Sequence, residues 1–206
     1  MELNNTFYQR PTPEKVRAWL AATPADFRFS VKGQRGATMR ALMVDPPGAV
    51  AWLVESIRPF GGRLGTVLYR VPQDVPRNDD RLAALLAVWP ADVPLTMEFQ
   101  DPSWLVDEVL DQLAGRGVTL CATDLDTDAE PLPLHLTGRF LYVRLRRSIY
   151  TADEIARWAA RFVPFLEAGH DAYAFFRHDE TGEATRRADA LWTHVQVLLS
   201  AIASGR

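Results

Sequence analysis

Residues 95–104 read Leu-Thr-Met-Glu-Phe-Gln-Asp-Pro-Ser-Trp, and this stretch decides the fold. Its first five residues predict a strand that ends on an acid of the kind found buried. Thr96 and Glu98 share one face of that strand, opposite its apolar side chains, because successive side chains point to opposite sides. The Asp-Pro-Ser turn then leads into a helix. Other segments of the chain repeat this order: an apolar strand, a polar residue at its end, a turn and, in most cases, a helix.

Strands that alternate with helices at such intervals predict parallel strands joined by right-handed crossovers. Seven strands are expected, at residues 1–4, 26–32, 66–71, 95–99, 118–123, 140–145 and 172–176. Helices are expected near residues 12–20, 47–60, 79–89, 106–113, 151–164 and 188–202. We expect residues 33–46 and 124–138 to be loops, and Pro164 to kink or shorten its helix.

Two architectures place helices outside parallel strands, the β/α barrel and the doubly wound sheet. No Gly-x-Gly-x-x-Gly follows any strand, which removes the main support for a nucleotide-binding sheet. A strand covered by helices on both faces is apolar throughout. Here one face carries charged residues near the carboxyl ends: Lys32, Arg70, Glu98, Asp124 and Arg144. Barrels expose the end of the inner face at the mouth, so the pattern predicts a TIM-like β/α barrel.

Composition limits the class of protein. A chain of 206 residues, 48% hydrophobic and 24% charged, predicts a single globular domain spanning residues 1–206. A formal net charge of −3 provides no electrostatic footprint for nucleic acid, and no apolar run is long enough for a membrane span. We expect no signal peptide. The single cysteine, Cys121, excludes an internal disulfide, so we expect a cytoplasmic protein.

Several motifs run through nearly the whole chain in a recognisable order. They are Glu-Leu-Asn-Asn-Thr-Phe-Tyr at 2–8, Phe-Arg-Phe-Ser-Val-Lys at 27–32, Arg-Leu-Gly at 63–65, Glu-Phe at 98–99 with Pro-Ser-Trp at 102–104, and Tyr-Val-Arg-Leu at 142–145. Together they resemble the YecE-like family, also called domain of unknown function 72. The resemblance implies a TIM-like β/α barrel of bacterial or archaeal type, with no established activity.

The chain also departs from that family pattern. Relatives usually begin with a strand containing a Gly-Thr-Ser-Gly-Trp-like motif and a first helix, and neither is present here. We therefore expect seven strands with the first β/α unit missing. Either the true start codon lies upstream, or a second copy or a terminal segment covers the open edge of the barrel. An oligomer that forms through this edge is therefore possible.

Polar motif positions differ as well. This chain has Arg-Val-Pro-Gln at 70–73 where Gln-Leu-Pro-Pro is usual, and Gln-Asp at 100–101 where the family has Arg-His. It has Arg-Arg at 146–147 where His-Gly is favoured. If these positions bind a ligand in relatives, this chain binds a different ligand or none.

Two acids at strand ends are the candidate catalytic residues. Glu98 and Glu2 would act as general acid and base on a hydroxyl-rich substrate. The alternative is a structural network inside the barrel, in which Lys32, Arg70 or Arg144 neutralises each acid. Buried charges need partners whatever their purpose, so the sequence leaves both interpretations open.

The basic residues of the same strand ends predict an anion site. Guanidinium groups bind carboxylate and phosphate in bidentate geometry, so a small anionic ligand is the expected partner. The alternative is internal pairing with the acids, and the two are compatible. The full set of predicted substrate-binding residues is Asn4, Lys32, Arg70, Asp124, Arg144, His178 and Trp104.

No metal site or cofactor is predicted. Acids alternate through residues 124–130 as at the start of a calcium loop, but the sixth position is Ala129 and the twelfth is His135. We therefore expect a solvated loop with Asp124 facing the mouth. His178 is either a proton carrier or metal ligand, or a loop histidine held by hydrogen bonds, and the other histidines show no metal-ligand spacing.

These residues favour an enzyme of the hydrolase, isomerase or lyase class, acting on a small anionic or polyhydroxylated metabolite at the carboxyl mouth of the barrel. The alternative is a non-catalytic relative whose degenerate site binds a ligand or partner. A third class, nucleic-acid binding through Arg144, Arg146 and Arg147, is weaker because no basic or aromatic stripe extends the patch. No membrane partner is expected.

Overall fold

The computed structural model describes residues 1–128 and 133–204. Its strands are β1 (Glu2–Leu3), β2 (Phe29–Lys32), β3 (Leu64–Val71), β4 (Leu95–Phe99), β5 (Thr119–Asp124), β6 (Phe140–Leu145) and β7 (Asp171–Phe176). Its α-helices are α1 (Pro13–Ala21), α2 (Arg35–Met43), α3 (Pro46–Ile57), α4 (Asp79–Val88), α5 (Asp107–Gly115), α6 (Ala152–Glu167) and α7 (Glu183–Ser204). The strands follow one another in chain order from β1 to β7. This is the order of a TIM-like β/α barrel, so the predicted fold class is confirmed.

The chain divides into two compact units, residues 1–118 and the residues from 119 onward. The expectation of one domain over residues 1–206 stays a prediction, as do the missing first β/α unit and the oligomer. In the described ranges, no helix is both long and apolar enough to cross a bilayer.

In the first unit, β1 to β4 pair in parallel. The register places Lys32 opposite Leu68, and Arg70 opposite Glu98. Residues that are opposite one another, or two apart on one strand, lie on the same face of a sheet. Lys32, Arg70 and Glu98 therefore share one face at the carboxyl ends of three neighbouring strands. Val67 and Met97 lie on the opposite face and are completely buried.

The helices of this unit begin where polar side chains cap them. Thr12 accepts a hydrogen bond from the Lys15 N–H and is followed by Pro13, as predicted. Asn78 accepts from the Arg81 N–H at 2.9 Å and fixes the start of α4.

The prediction of a long loop over residues 33–46 is wrong, because α2 occupies most of that segment. Gln34 caps the helix by accepting a 2.7 Å hydrogen bond from the Ala37 N–H. Ala37, Ala41 and Leu42 are buried and form its packing face. Two glycines in the segment argued against a helix, and small alanines made its apolar periodicity hard to recognise.

The second unit contains β5, β6 and β7, paired in parallel, with α6 and α7 packed together against the apolar face. The core is formed by Leu141, Val143, Leu145, Trp158, Phe162, Leu191 and Val195. Between β5 and β6, the described residues 125–128 and 133–139 contain neither helix nor strand. Ala129 and Glu130 of the acidic run lie outside the described residues.

Pro164 does not shorten its helix, and the alternative expectation, a kink, stays a prediction. Helix α6 contains Pro164 and continues to Glu167. Proline removes one helical hydrogen bond. Phe162 is buried on one side of Pro164, and Phe165 and Leu166 pack against the same core on the other. We attribute the continuation of the helix to this burial, since packing supplies most of a helix's stability.

The start of α6 is a predicted capping box, and the structure contains it. The Thr151 hydroxyl accepts from the Glu154 N–H at 3.2 Å, and Glu154 Oε2 accepts from the Thr151 N–H at 2.7 Å. We expect Thr151→Ala to lower the free energy of unfolding by about 1 kcal/mol, measured by urea denaturation. Thr151→Ser keeps the hydroxyl and is the matched control. Equal stability of the alanine and serine variants would contradict the prediction.

The capping box also predicts a pH dependence. The Thr151 backbone N–H and hydroxyl hold the pKa of Glu154 below its ordinary value of 4.5. A lowered pKa in the folded state contributes stability above the unfolded pKa, and this is lost as the pH falls through the folded pKa. We expect Glu154→Gln to be destabilising at neutral pH, and the difference from wild type to shrink as the pH falls below 4.5. A difference in urea midpoint that stays constant across this range would refute the prediction.

Candidate functional site

Glu98 is the buried acid of the first unit. It lies one residue before the end of β4 and is only 2% exposed. Its Oε2 atom is 3.9 Å from Arg70 Nε, so the expected ion pair with a strand-end base is present. This distance is too long for a hydrogen bond, so charge attraction rather than a shared proton joins the two groups.

Arg70 faces both the buried acid and solvent. Its Nη2 donates to Gln100 Oε1 at 2.7 Å, and its side chain is 32% exposed. Its Nε is buried and finds no hydrogen-bond partner among the residues that the structure describes. A buried donor without a partner costs free energy, about 1–3 kcal/mol, and the cost is greater for a charged group. The guanidinium is therefore a strong donor that the neighbouring protein groups leave incompletely satisfied.

Lys32 ends the neighbouring strand, and the segment after β1 packs over it. The Lys32 side chain is buried, and its Nζ lies 4.3 Å from the centre of the Phe7 ring. The Thr6 hydroxyl lies 2.7 Å from both the Leu3 and Lys32 carbonyl oxygens. These contacts hold residues 5–7 against the end of β2 and place an aromatic ring beside the ammonium group.

The remaining candidates of this unit occupy different surroundings. Glu2 is half-buried and in register with Ser30, whereas Glu98 is in register with Arg70. Asn4 is exposed in the segment that follows β1. Nothing in this geometry makes Glu2 a second catalytic acid, and that role stays a prediction.

Trp104 does not line a mouth. It is completely buried and stacks on Phe99, with ring centres 4.7 Å apart. Its indole N–H donates to the Val75 carbonyl oxygen at 2.8 Å. The predicted contact with substrate is therefore replaced by a packing role behind the end of β4. The Asp-Pro-Ser turn brings the ring back onto the strand that it follows.

Asp124 is the buried acid of the second unit, and each oxygen of its carboxylate accepts a hydrogen bond. It is 1% exposed; Arg147 Nε donates to Oδ1 at 2.9 Å and the Tyr150 hydroxyl to Oδ2 at 2.8 Å. Arg147 also donates to the Asp128 carbonyl oxygen and lies 3.6 Å from Glu154. Asp124 is therefore the buried last residue of β5 rather than part of the exposed loop that follows, and its role at the mouth stays a prediction.

The pKa shifts of the two partners agree with this geometry. Burial raises the pKa of the Tyr150 hydroxyl well above its usual range, and the hydrogen bond to Asp124 raises it further. Partial burial opposes the charge of Arg147, but the attraction of Asp124, Tyr150 and Glu154 outweighs it and raises the pKa. Tyr150 therefore stays a protonated donor and Arg147 stays charged. This cluster is built to hold the loop after β6 rather than to exchange protons.

Arg144 and His178 lie on different elements of the second unit. Arg144 is buried in β6, in register with Thr123, and His178 is exposed on the loop after β7. The adjacent Asp179 accepts hydrogen bonds from the Thr181, Glu183 and Ala184 N–H groups, which fixes that loop at the start of α7. Within the described ranges, no three His, Cys, Asp or Glu residues are placed to hold a metal ion.

Sequence reasoning missed Gln100 and Arg147, the side chains that contact the strand-end charges of the two units. Both were considered only as departures from a family pattern or as part of a weak basic patch. A polar residue directly after a strand was the available indication for Gln100. Arg147 gave no such indication, since it contacts an acid far away in the sequence.

Comparison with known proteins gives the family. The chain matches the model for "Protein of unknown function DUF72" over residues 1–204. Similar solved structures include a DUF72 family protein from Enterococcus faecalis V583, 20% identical, with a TM-score of 0.78 over 97% of this chain and 88% of that chain. Another is a DUF72 family protein from Thermotoga maritima MSB8, 23% identical, with a TM-score of 0.78 over 97% of this chain and 84% of that chain.

No curated protein matches the chain. At these identities the solved structures support the fold alone, and their descriptions name no activity. The family match covers nearly every residue, including both buried strand-end acids. The chain belongs to the DUF72 family of proteins of unknown function.

Proposed function

We propose that this chain is an enzyme of the hydrolase, isomerase or lyase class. It acts on a small anionic metabolite at the carboxyl ends of β2, β3 and β4. The observation that carries the proposal is the partly exposed guanidinium of Arg70 beside a buried acid. The Arg70 side chain is 32% exposed, and a buried carboxylate lies 3.9 Å from its Nε atom. Carboxyl ends of strands are also where TIM-barrel enzymes hold their substrates.

Anion binding follows from the donors of Arg70. Its planar fork matches a carboxylate or phosphate, and about a third of the side chain is exposed to solvent, where an anion can reach it. Lys32 adds a second positive charge on the same face of the next strand. A substrate with one anionic group would bind here, and its reacting carbon would lie towards Glu98.

Glu98 is the candidate general base or acid. Its carboxylate is buried, so water does not compete with a substrate for proton transfer to it. An anion bound at Arg70 would lie close to Glu98, which would place this carboxylate next to the substrate as the candidate proton acceptor. Proton abstraction next to the anionic group is the step that this arrangement supports, and it is shared by lyases and isomerases.

A non-catalytic binding role is the second candidate, and Gln100 favours it. Where relatives usually have arginine, this neutral side chain accepts the hydrogen bond of Arg70. A site altered in this way would retain an anion without catalysing a reaction. The two candidates predict the same ligand class and differ only in turnover.

Inorganic phosphate is the first probe of the site. We expect phosphate to raise the melting temperature of the wild-type protein, because a ligand at about 100 times its Kd stabilises by about 2.7 kcal/mol. Arg70→Gln should lose this shift. The matched control, Arg17→Gln, removes an exposed arginine of α1 and should retain it. Equal shifts in all three proteins would show that phosphate does not bind at Arg70.

Turnover distinguishes the two candidates. We expect a screen of carboxylated and phosphorylated metabolites to identify a substrate whose conversion falls at least about 100-fold in Glu98→Gln. This variant leaves Arg70 with a neutral partner, so its unfolding free energy must be measured alongside, with a loss of a few kcal/mol expected. Glu108→Gln, at an exposed ion pair, is the control. Unchanged turnover in folded Glu98→Gln would exclude Glu98. A ligand that binds through Arg70 without turnover would favour the non-catalytic role.

A further inference from the structure

A concave site lies between α2 and α3, outside the strand-end cluster. Its volume is about 500 Å³, within the range of small-molecule pockets. The side chains that line it and carry the argument are Gln34, Arg40, Asp45 and Trp52. None of these residues belongs to the site proposed above, so the inference stands independently of the proposed function.

Trp52 supplies a flat apolar wall. It is 42% exposed although it lines a cleft. The Arg10 guanidinium lies 4.7 Å from the centre of its ring and forms an ion pair with Glu55 at 2.5 Å. Arg10 thus covers one face of the indole and holds its orientation by a cation–π contact. The ring has a second face, on which a flat ligand can stack.

The polar groups of the cleft are held in place before any ligand binds. Asp45 accepts from the Gly48 N–H at 3.0 Å through Oδ1 and pairs with Arg40 at 3.2 Å through Oδ2. Gln34 Oε1 accepts from the Ala37 N–H. These contacts use only part of each group's capacity, since a guanidinium has five donors and a carboxylate about four acceptor sites. Donors and acceptors therefore lie side by side in fixed positions.

Two glycines keep the cleft open and its caps intact. A Cβ atom on Gly48 would collide with the Asp45 carboxylate, and one on Gly36 would lie 3.2 Å from Gln34 Oε1. Both glycines line the cleft. Larger residues would therefore displace the two polar side chains and fill the space between the helices.

This combination defines a ligand class. The charges of Arg40 and Asp45 cancel, so the cleft does not select a net charge. A hydroxyl both donates and accepts, so neighbouring hydroxyls fit an adjacent carboxylate and guanidinium. The apolar face of a sugar ring fits an indole. We propose that the cleft binds a neutral pyranose sugar, stacked on Trp52 and hydrogen-bonded to Arg40 and Asp45. A nucleobase would also stack, but it lacks neighbouring hydroxyls.

The test uses the indole N–H signals of the intact protein in ¹H–¹⁵N NMR, with the Trp52 signal assigned by Trp52→Phe. The probes are glucose, galactose, mannose, N-acetylglucosamine, cellobiose and maltose, with adenine as the nucleobase probe. We expect at least one sugar to shift the Trp52 signal saturably, and adenine to leave it unchanged. Saturable binding of adenine alone, or of none of the probes, would overturn the proposal.

Variants locate the binding. We expect Trp52→Ala, and separately Arg40→Gln, to weaken the affinity for that sugar at least about tenfold by calorimetry. The matched control is Trp192→Ala, which removes an indole 64% exposed on α7 and should leave the affinity unchanged. Thermal unfolding verifies that each variant is folded, and Trp52→Phe, with a smaller ring, replaces the alanine variant if that one unfolds. Undiminished affinity in a folded Trp52 variant would place the sugar elsewhere and refute the site.

Discussion

The structure depends on one constraint, that an ionised carboxylate removed from water needs positive charge or donated hydrogen bonds close by. Glu98 and Asp124 both end strands and both are almost fully buried. A parallel ladder provides a simple answer for Glu98, because the register places Arg70 directly opposite on the next strand. The pairing of β3 with β4 therefore also places Arg70 beside Glu98.

The two buried acids have different surroundings, and we assign a supporting role to Asp124 and a chemical role to Glu98. Asp124 receives a guanidinium and a phenol at hydrogen-bond distance, one on each oxygen. Replacing either donor by a ligand would cost Asp124 a hydrogen bond that it already has. Arg70 stands 3.9 Å from Glu98 and keeps a buried donor unfilled within the described residues. Part of the Arg70 side chain is exposed to solvent, where an anion can reach it, which is why we assign the ligand to the first unit.

Strand positions, helix caps and the inner face of β4 could be predicted because they depend on neighbours in sequence. Thr12, Asn78 and the capping box at Thr151 each act within four residues. Helix α2 was missed because its packing face is largely alanine, and alanine carries little hydrophobic periodicity. The contact of Arg147 with Asp124 spans 23 residues and crosses a turn. These two groups meet only in the folded chain, so no local sequence pattern predicts their contact.

Gln100 connects the family pattern to the chemistry of this chain. In the family pattern described above, position 70 is usually glutamine and position 100 arginine, so this chain carries the same two side-chain types in exchanged places. The Gln100 amide accepts a hydrogen bond from Arg70 Nη2 at 2.7 Å, which fixes one arm of the guanidinium while Nε remains without an acceptor in the described part of the chain. The hydrogen bond with Gln100 therefore orients the guanidinium at the strand ends. A ligand suited to this arrangement needs one well-placed anionic group rather than a high negative charge.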